Sequence, residues 1–350
     1  KLPVMPMIGF LFILDPCPFS ELAVRPLNKL SIAYLLWGCN RFSGTSRRFG
    51  RKKRKKTPFP IVNPPLPMLY CFHHAQRKGT FMYLNIFDSH THSDTSWDAE
   101  HSLTFLCETA VKKGILGFAI TDHCEINEYV TRDIETRIRQ GYFEMLKARA
   151  AFGKSLMLSY GIELGQMNFD LDLTHHVLEM EPYDFVLGSL HCIRGNEDFY
   201  DMDFKDEDPY ALLEEYYQEL YEIAKLNLFD SMAHITYPIR YMNGNHRLGV
   251  DLSRMDDLID LTLRTLAENG KALEINAAGL RSSIGETSPT LKYIRRFHEL
   301  GGEYVTLGSD AHSAEDLGEG IQQAMELARQ AGFSYFTFYK KRQPRLLQIY

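Results

Sequence analysis

Apolar and polar residues follow two different patterns along the chain, and the change falls near Met82. From there onward, short apolar runs alternate with longer amphipathic stretches, a pattern typical of strands that alternate with helices. The predicted strands are Leu84–Asp88, Leu116–Thr121, Met157–Ile162, Phe185–Ser189, Leu228–Ala233, Ala272–Asn276, Tyr304–Gly308 and a last one near Tyr335–Phe338. The predicted helices are 100–113, 134–152, 209–226, 253–269, 289–300 and 316–331.

The repetition of strand and helix sets the predicted fold class. Strands that are separated by helices pair in parallel, and repeats over roughly 270 residues have the length of a closed barrel. A doubly wound open sheet is the alternative, but the sequence has no glycine-rich phosphate loop to favour it. Pro209 near one helix start, and Gly114 and Gly270 after two helix ends, agree with the helix boundaries. We therefore predict an α/β domain over residues 82–350.

Residues 1–81 do not have the composition of a folded domain. Prolines recur, the basic run Arg51–Lys56 interrupts them, and neither a helical nor a strand period persists. A basic run of this kind is also typical of an arm that binds nucleic acid or directs targeting. We favour a disordered or non-native extension, because such a composition buries little apolar surface.

Charge is distributed unevenly between these two parts of the chain. Residues 1–81 carry 14 Lys and Arg against 2 Asp and Glu, whereas the remainder carries 25 against 43. The acidic remainder favours a cation-binding enzyme and argues against nucleic acid as a partner. The six cysteines have no CxxC spacing, so we predict reduced thiols in a cytoplasmic protein. No apolar run approaches the ~18 residues that cross a bilayer, so we expect no membrane partner.

Metal-ligating residue types stand at the ends of the predicted strands. His90 and His92 follow the first strand, and those after later strands are His123, Glu163, His191, His234, Asp310 and His312. In a barrel of parallel strands these ends share one rim, where such folds place their chemistry. Imidazoles and carboxylates are costly to bury together unless cations lie between them. Nitrogen and oxygen ligands without thiolate point to zinc, manganese or iron.

This series of motifs resembles the PHP (polymerase and histidinol phosphatase) family. The residues that carry the resemblance are His90-x-His92, Asp98, Thr121-Asp122-His123, Glu163, His191, His234 and Asp310-x-His312. They extend from about Phe87 to Gly320, whereas nothing in residues 1–81 matches the family. The resemblance implies a distorted (β/α)7 TIM-like barrel with three divalent metal ions at the C-terminal ends of its strands.

The resemblance also implies which residues hold each ion. The implied ligands are His90, His92, Glu163 and Asp310 for the first ion, Glu163, His191 and His234 for the second, and Asp98, His123 and His312 for the third. Some family members have His at the position of Asp98, and a carboxylate there would favour a harder ion. Asp122 is expected to orient a ligand or cap a turn instead of binding metal.

Within the family, the chain is most similar to the stand-alone histidinol-phosphate phosphatases. The loop Gly188–Gly195, its acidic continuation to Asp208, and Asn276–Arg281 carry this closer similarity. It implies hydrolysis of L-histidinol phosphate to L-histidinol and phosphate, a step of histidine biosynthesis. The partner implied is therefore a small phosphorylated substrate, and the sequence predicts no oligomeric state.

Five residues are predicted to take part in catalysis or substrate binding. Glu163 and Asp310 are predicted to be catalytic through the metal ions, and Arg281 through the phosphate. A guanidinium matches two phosphate oxygens at once, which favours Arg281 as a forked phosphate ligand. Arg194 and Arg240 are further candidates for substrate binding.

Three other functions fit parts of the sequence. A PHP-type nucleotide phosphatase or phosphodiesterase/exonuclease would keep the metal ions and change the substrate. A metal-dependent amidohydrolase also carries a His-x-His motif, but no strand-end Lys is present to bridge two ions after carbamylation. A non-catalytic binding protein with a basic arm is disfavoured, because the set of metal ligands is complete.

Overall fold

Parallel strands form the main sheet of the computed structural model, which describes residues 85–350. The strands are β1 (Phe87–Thr91), β2 (Gly117–Ile120), β3 (His123–Glu125), β4 (Met157–Gly165), β5 (Phe185–Ser189), β6 (Ser231–Met232), β7 (Ala272–Asn276) and β8 (Tyr304–Gly308). Seven of them pair in the order β1-β2-β4-β5-β6-β7-β8, and the short β3 pairs beside the second half of β4. The extension predicted for residues 1–81 lies outside the described residues.

Helices connect these strands. They are α1 (Leu103–Lys113), α2 (Ile134–Phe152), α3 (Leu171–Met180), α4 (Pro209–Leu226), α5 (Asp256–Glu268), α6 (Leu291–Glu299) and α7 (Ile321–Ala331). Between β6 and α5 the chain forms a short helical turn, Tyr237–Ile239, which a π-helical segment, Arg240–Asn245, continues. Segments of this π-helical type are frequent at functional sites.

The main sheet returns on itself to form a nearly closed barrel. The backbone N–H of Asp310 donates to the carbonyl of His90 at 2.8 Å, and that of His92 donates to the carbonyl of Ala311 at 2.9 Å. These bonds join β1 to the segment that follows β8. The predicted α/β barrel of seven parallel strands is therefore confirmed, with β3 as an additional short strand.

Helix α4 shows how the sequence sets the outer layer of the barrel. Its N-terminus is capped by the Asp208 carboxylate, which accepts from the backbone N–H groups of Tyr210 and Ala211, and Pro209 occupies the first turn. Leu212, Tyr216, Leu220 and Ile223 recur at helical spacing along one face and are all buried. Each of the buried Leu and Ile side chains contributes about 1.5–3 kcal/mol by leaving water.

The structure departs from the predicted elements where local signals are weak. Helix α3 was missed because only Thr174 and Val177 of its residues are fully buried, which leaves little apolar periodicity. The strand predicted at Leu228–Ala233 is shortened to β6, because the side chain of Asp230 takes the place of a backbone acceptor in the pairing with β5. The Asp230 carboxylate accepts from the backbone N–H of Val186 at 2.9 Å.

A C-terminal hairpin covers the N-terminal end of the barrel. It consists of β9 (Tyr335–Lys340) and β10 (Gln343–Gln348), which pair antiparallel in a separate sheet. The ring of Phe338 packs against Phe87 at the start of β1, with centroids 4.7 Å apart. The hydroxyl of Ser159 in β4 donates to the carbonyl of Tyr339 at 2.9 Å. The hairpin thus closes the end of the barrel opposite the residues at the C-terminal ends of the strands.

Within residues 85–350, no helix combines the length and the apolar character that crossing a lipid bilayer requires. The same residues include three cysteines, Cys107, Cys124 and Cys192, and all three are buried free thiols. Burial raises the pKa of the Cys107 thiol to about 12. Burial also raises the pKa values of the Cys124 and Cys192 thiols, so all three are protonated near neutral pH.

Asp184, which precedes β5, anchors the hairpin, and its removal should destabilise the fold. Its carboxylate accepts from Lys340 Nζ and from the backbone N–H of Lys341, both at 2.9 Å. We expect Asp184→Asn to lower the free energy of unfolding at pH 7 by about 2 kcal/mol, the size typical of hydrogen bonds to a charged group. Urea denaturation measures this change, and Asp172→Asn on the exposed side of α3 is the matched control.

The same substitution should also change the dependence of stability on pH. Burial by itself would raise the pKa of the Asp184 carboxyl, but Lys340 and the backbone N–H of Lys341 lower it below its usual value. The folded chain then binds fewer protons than the unfolded chain, so this contribution is present above pH ~4 and is lost in more acidic solution. Asp184→Asn should therefore show a shallower loss of stability below pH ~4. An unchanged acid profile would contradict this role.

Candidate metal centre

All nine residues predicted as metal ligands lie together at the C-terminal ends of the barrel strands. Eight of them lie in a strand or within four residues of a strand's C-terminal end, and Asp98 lies in the loop after β1. They form three clusters, which are named here the first cluster (His90, His92, Glu163 and Asp310), the second cluster (Glu163, His191 and His234) and the third cluster (Asp98, His123 and His312). Most of these side chains are buried, whereas that of Asp98 is 40% exposed.

The first cluster brings two imidazoles from β1 to two carboxylates. The Nε2 atoms of His90 and His92 are 3.0 Å apart. Glu163 Oε2 lies 3.3 Å from His90 Nε2 and 3.6 Å from His92 Nε2. Asp310 Oδ1 lies 3.6 Å and 3.5 Å from the same two nitrogens. Asp310 reaches this position with a φ of 56°, in the left-handed region that non-glycine residues adopt mostly at special sites.

The second cluster uses the other oxygen of Glu163. Glu163 Oε1 lies 3.1 Å from His191 Nε2 and 2.9 Å from His234 Nε2, and these two nitrogens are 3.4 Å apart. The carboxylate of Glu163 therefore contacts the first cluster with one oxygen and the second cluster with the other.

The third cluster lies nearest to the solvent. Asp98 Oδ2 lies 3.4 Å from His123 Nε2 and 3.4 Å from His312 Nε2, and the two nitrogens are also 3.4 Å apart. The indole of Trp97 stacks on the ring of His123 with centroids 5.2 Å apart, and the guanidinium of Arg132 lies over that indole. This stack covers one side of the third cluster.

The spacing of these atoms fits divalent ions. Ligands at 2.0–2.1 Å from a tetrahedral zinc ion stand about 3.3 Å from one another. The separations within the three clusters run from 2.9 to 3.6 Å. In addition, Glu163 Oε2 is buried and accepts no hydrogen bond, although it faces several ring nitrogens. A buried carboxylate oxygen without a donor fits a position beside a cation.

The charges within the centre also suit cation binding. Burial by itself would raise the pKa of the Glu163 carboxyl, but the imidazoles of His90 and His191 hold that pKa well below its usual range. Burial, together with the neighbouring imidazole of His312, holds the pKa of His92 well below its usual value. Burial by itself would lower the pKa values of His90, His123 and His191, but neighbouring carboxylates raise them well above the usual value, so a cation that binds these rings would displace protons from them.

Two buried carboxylates behind the ligands were missed from the sequence. Glu125 Oε1 lies 2.9 Å from His191 Nδ1, and Glu274 Oε1 lies 2.7 Å from His90 Nδ1. Metal-binding histidines usually donate their second ring N–H to such a partner. Glu125 stands two residues after His123 on the same strand, and this His-x-Glu spacing is the signal that could have identified it.

Asp122 contacts Ser93 and Ser96 behind the predicted ligands, and its orienting role stays a prediction. Its carboxylate accepts from the backbone N–H of Ser93 at 2.7 Å and from the hydroxyl of Ser96 at 3.0 Å. The hydroxyl oxygen of Ser96 lies 3.2 Å from His92 Nδ1 and accepts from the backbone N–H of His123 at 3.1 Å. Asp122 therefore contacts the ligands through Ser96.

A cavity of about 710 Å³ opens above the three clusters. Its wall includes the carboxylates Glu197, Asp198 and Asp201 from the loop after β5, and the exposed ring of Tyr200. Its volume is within the range of small-molecule sites.

Only one of the three predicted substrate-binding arginines lines this cavity. Arg240 lines it, and its Nη2 lies 3.1 Å from Asn276 Oδ1 and 3.5 Å from Asp310 Oδ2. The guanidinium of Arg281 donates instead to the backbone carbonyl of Ser309 at 2.8 Å. Arg194 packs over the ring of Phe169 and donates to the carbonyl of Asn168 at 2.9 Å. The structure therefore does not bring Arg281 and Arg194 to the cavity wall, because backbone carbonyls engage both guanidinium groups.

Comparison with known proteins identifies the class to which this fold and site belong. The model of the PHP domain family matches residues 88–278, which are more than half of the chain. The chain therefore belongs to the PHP domain family, as its motifs predicted. Asp310 and His312 lie beyond the matched segment.

Individual relatives show which members of the family this chain is similar to. A probable histidinol-phosphatase of Clostridium acetobutylicum is 27% identical over 258 residues, which are 73% of this chain and 98% of the relative. A probable histidinol-phosphatase of Thermotoga maritima is 28% identical over 251 residues, 71% of this chain and 94% of the relative. The predicted similarity to histidinol phosphatases is thus confirmed.

A solved structure shares the fold. It is the histidinol phosphate phosphatase of Lactococcus lactis, which was crystallised in a complex with zinc, L-histidinol and phosphate. It superposes with a TM-score of 0.63 at 23% sequence identity, and the alignment covers 74% of this chain and 98% of that chain. The similarity extends over nearly the whole of that enzyme's chain.

Zinc should raise the unfolding temperature of this protein, because an ion that binds only the folded chain adds to the free energy of unfolding. At a free ion concentration of 100 times Kd, one site adds about 2.7 kcal/mol. We expect His234→Ala, which removes one nitrogen from the second cluster, to reduce the zinc-dependent rise measured by calorimetry. His175→Ala, on the exposed side of α3, should respond like the wild type. Equal rises in all three proteins would contradict the metal assignment.

Proposed function

We propose that this chain is a metal-dependent phosphoric monoester hydrolase that converts L-histidinol phosphate to L-histidinol and phosphate. The observation that carries the proposal is the convergence of three ligand clusters below a cavity of about 710 Å³. The similarity to histidinol-phosphatases over nearly their whole length supports the choice of substrate. The cytoplasmic location and the absence of a nucleic-acid partner stay predictions.

The three clusters are proposed to hold three divalent ions, which are zinc, manganese or iron. Glu163 would bridge the first two ions because its two oxygens face different clusters. When bound, such ions lower the pKa of a water nucleophile and stabilise the charge that develops on the phosphate. The carboxylate of Asp98 and the exposure of the third cluster allow the third ion to be harder than the others.

Arg240 is proposed to bind the phosphate. Its guanidinium lies between the cavity and the first cluster, and its buried Nε has no hydrogen-bond partner among the described residues. Asn276 Oδ1 accepts from Nη2 and holds the group in place. Arg281 is instead a positioning residue, because it donates to the carbonyls of Ser309 and Asp310 next to the first cluster.

The acidic wall of the cavity supports a substrate with a positively charged leaving group. Glu197, Asp198 and Asp201 form no ion pair within residues 85–350, so the part of the wall that the loop after β5 forms is acidic, although Arg132 and Arg240 line other parts of the cavity. The protonated amino group of L-histidinol phosphate is attracted by such a wall, whereas a nucleoside monophosphate offers no such cation and the additional phosphates of an oligonucleotide are repelled.

A substrate panel tests the proposed function. The zinc-loaded and manganese-loaded full chain is supplied with L-histidinol phosphate, a nucleoside monophosphate or a short oligonucleotide, and released phosphate is measured. We expect the highest kcat/KM for L-histidinol phosphate. Preferential hydrolysis of the nucleotide or the oligonucleotide would favour the other PHP-type activities, and no hydrolysis of any of the three would contradict the proposal.

Asp310→Asn should abolish turnover and leave the barrel folded. The amide keeps the size of the side chain but removes the negative charge that faces His90 and His92 in the first cluster. Phosphate release measures the activity, and circular dichroism with the unfolding temperature verifies the fold. A metal-loaded Asp310→Asn protein that keeps the wild-type rate would count against the site.

Arg240→Ala should lower kcat/KM by about 100-fold, which is the typical cost of removing a group that stabilises developing charge. Arg194→Ala should stay within about threefold of the wild type, because its guanidinium is engaged outside the cavity. Steady-state kinetics with L-histidinol phosphate compares the two. A larger loss of kcat/KM in Arg194→Ala than in Arg240→Ala would indicate that Arg194, and not Arg240, binds the phosphate.

A further inference from the structure

Glu125 contacts histidines from two different clusters with one carboxylate oxygen. It lies on β3 and is 5% exposed. Its Oε1 is 2.9 Å from Nδ1 of His191, in the second cluster, and 3.3 Å from Nδ1 of His123, in the third cluster. In both rings the Nε2 atom faces its own cluster. Glu125 therefore lies behind the metal-facing sides of both imidazoles.

An imidazole that binds a cation through one nitrogen needs a hydrogen-bond acceptor at the other. When Nε2 binds a cation, the ring proton is on Nδ1 and requires an acceptor. Glu125 is that acceptor for His191. His123 Nδ1 also lies 3.0 Å from Glu163 Oε2, but this oxygen faces the first cluster. His123 Nδ1 forms no hydrogen bond with either carboxylate in the structure, so Glu125, 3.3 Å away, is the acceptor that remains for its proton when Glu163 is engaged by the first cluster.

The first cluster has different partners behind its histidines. Glu274 faces Nδ1 of His90, and the hydroxyl of Ser96 faces Nδ1 of His92. The contacts of Glu125 with ligand histidines are thus confined to the second and third clusters.

The neighbouring strand leaves space for the Glu125 carboxylate. Gly165 of β4 is the residue paired with Glu125. A Cβ added at Gly165 would lie 2.1 Å from Glu125 Oε2. Any larger residue at this position would displace the carboxylate, which is the movable end of a side chain.

We propose that Glu125 is a positioning residue shared by the second and third metal sites, whose carboxylate fixes His191 and His123 in the orientation and tautomer that bind two of the three ions. The first site does not depend on it. This inference rests on the proposed metal centre.

Metal analysis of Glu125→Gln tests the proposal. Glutamine keeps the size of the side chain and removes its charge. Removing such a partner usually lowers metal affinity by 10–100-fold, so we expect that loss for two of the three zinc ions. The full chain is equilibrated in a chelator-buffered series of free Zn²⁺ concentrations, and the bound zinc is counted by elemental analysis. At the lowest free Zn²⁺ concentration at which the wild type binds three ions, the variant should bind one.

Gly165→Ala provides an independent perturbation, because it displaces the carboxylate without removing a charge. It should lose the same two ions. The matched control is Glu135→Gln on the exposed surface of α2, whose carboxylate pairs with Arg139 one turn further along the same helix. This control should keep three ions.

Fluorescence of Trp97 follows the third site separately. Its indole stacks on His123, and Trp37 is the only other tryptophan of the sequence. In a Trp37→Phe background, Co²⁺ should quench the emission of Trp97, and Glu125→Gln should require about 10–100-fold more Co²⁺ for the same quenching.

The outcomes separate this inference from the proposed function. A wild-type protein that binds no divalent ion overturns both. A wild type with three ions and a Glu125→Gln variant with the same three affinities overturns only the role of Glu125. Equal weakening of all three sites, together with a lower unfolding temperature of the metal-free variant, indicates general destabilisation and also overturns it.

Discussion

The structure depends on the balance of charge among imidazoles and carboxylates that are buried at one rim of a barrel. Glu163 is central to it, because each of its two oxygens contacts a different cluster of histidines. Such groups are costly to bury unless each charge has a partner. The parallel strands bring the groups together, and Glu125 and Glu274 add negative charge behind the rings. Divalent cations at the clusters would complete the balance, and the proposed phosphatase chemistry follows from them.

The barrel itself was predictable, because its strands are apolar runs and its long helices have regular apolar spacing. The bounds of α2 and α4 coincide with those expected from the sequence. Elements with weak periodicity were not found, and α3 and the three-residue β3 are examples. The pairing of β9 with β10 was also missed, since it depends on contacts of the hairpin with the far end of the barrel.

Eight of the nine predicted metal ligands could be identified because each lies in a strand or within four residues of its end, where parallel topology brings the side chains to one rim. Asp98, in the loop after β1, was identified through its place in the family motif. The arginines could not be ranked in this way. Arg281 follows a strand end, yet backbone carbonyls hold its guanidinium, whereas Arg240 reaches the cavity from a π-helical segment that no periodic pattern signals. Glu125 was missed because its contact with His191, 66 residues further along the chain, and the space left by Gly165 are visible only in the folded structure.

Anomalous diffraction from crystals grown with zinc tests the central claim most directly. The account predicts three peaks, one within each cluster and each within about 2.0–2.2 Å of its nitrogen and oxygen ligands. The carboxylate of Glu163 should lie between the first two peaks. Crystals without anomalous density at these clusters, or with zinc bound only to residues outside them, would contradict it.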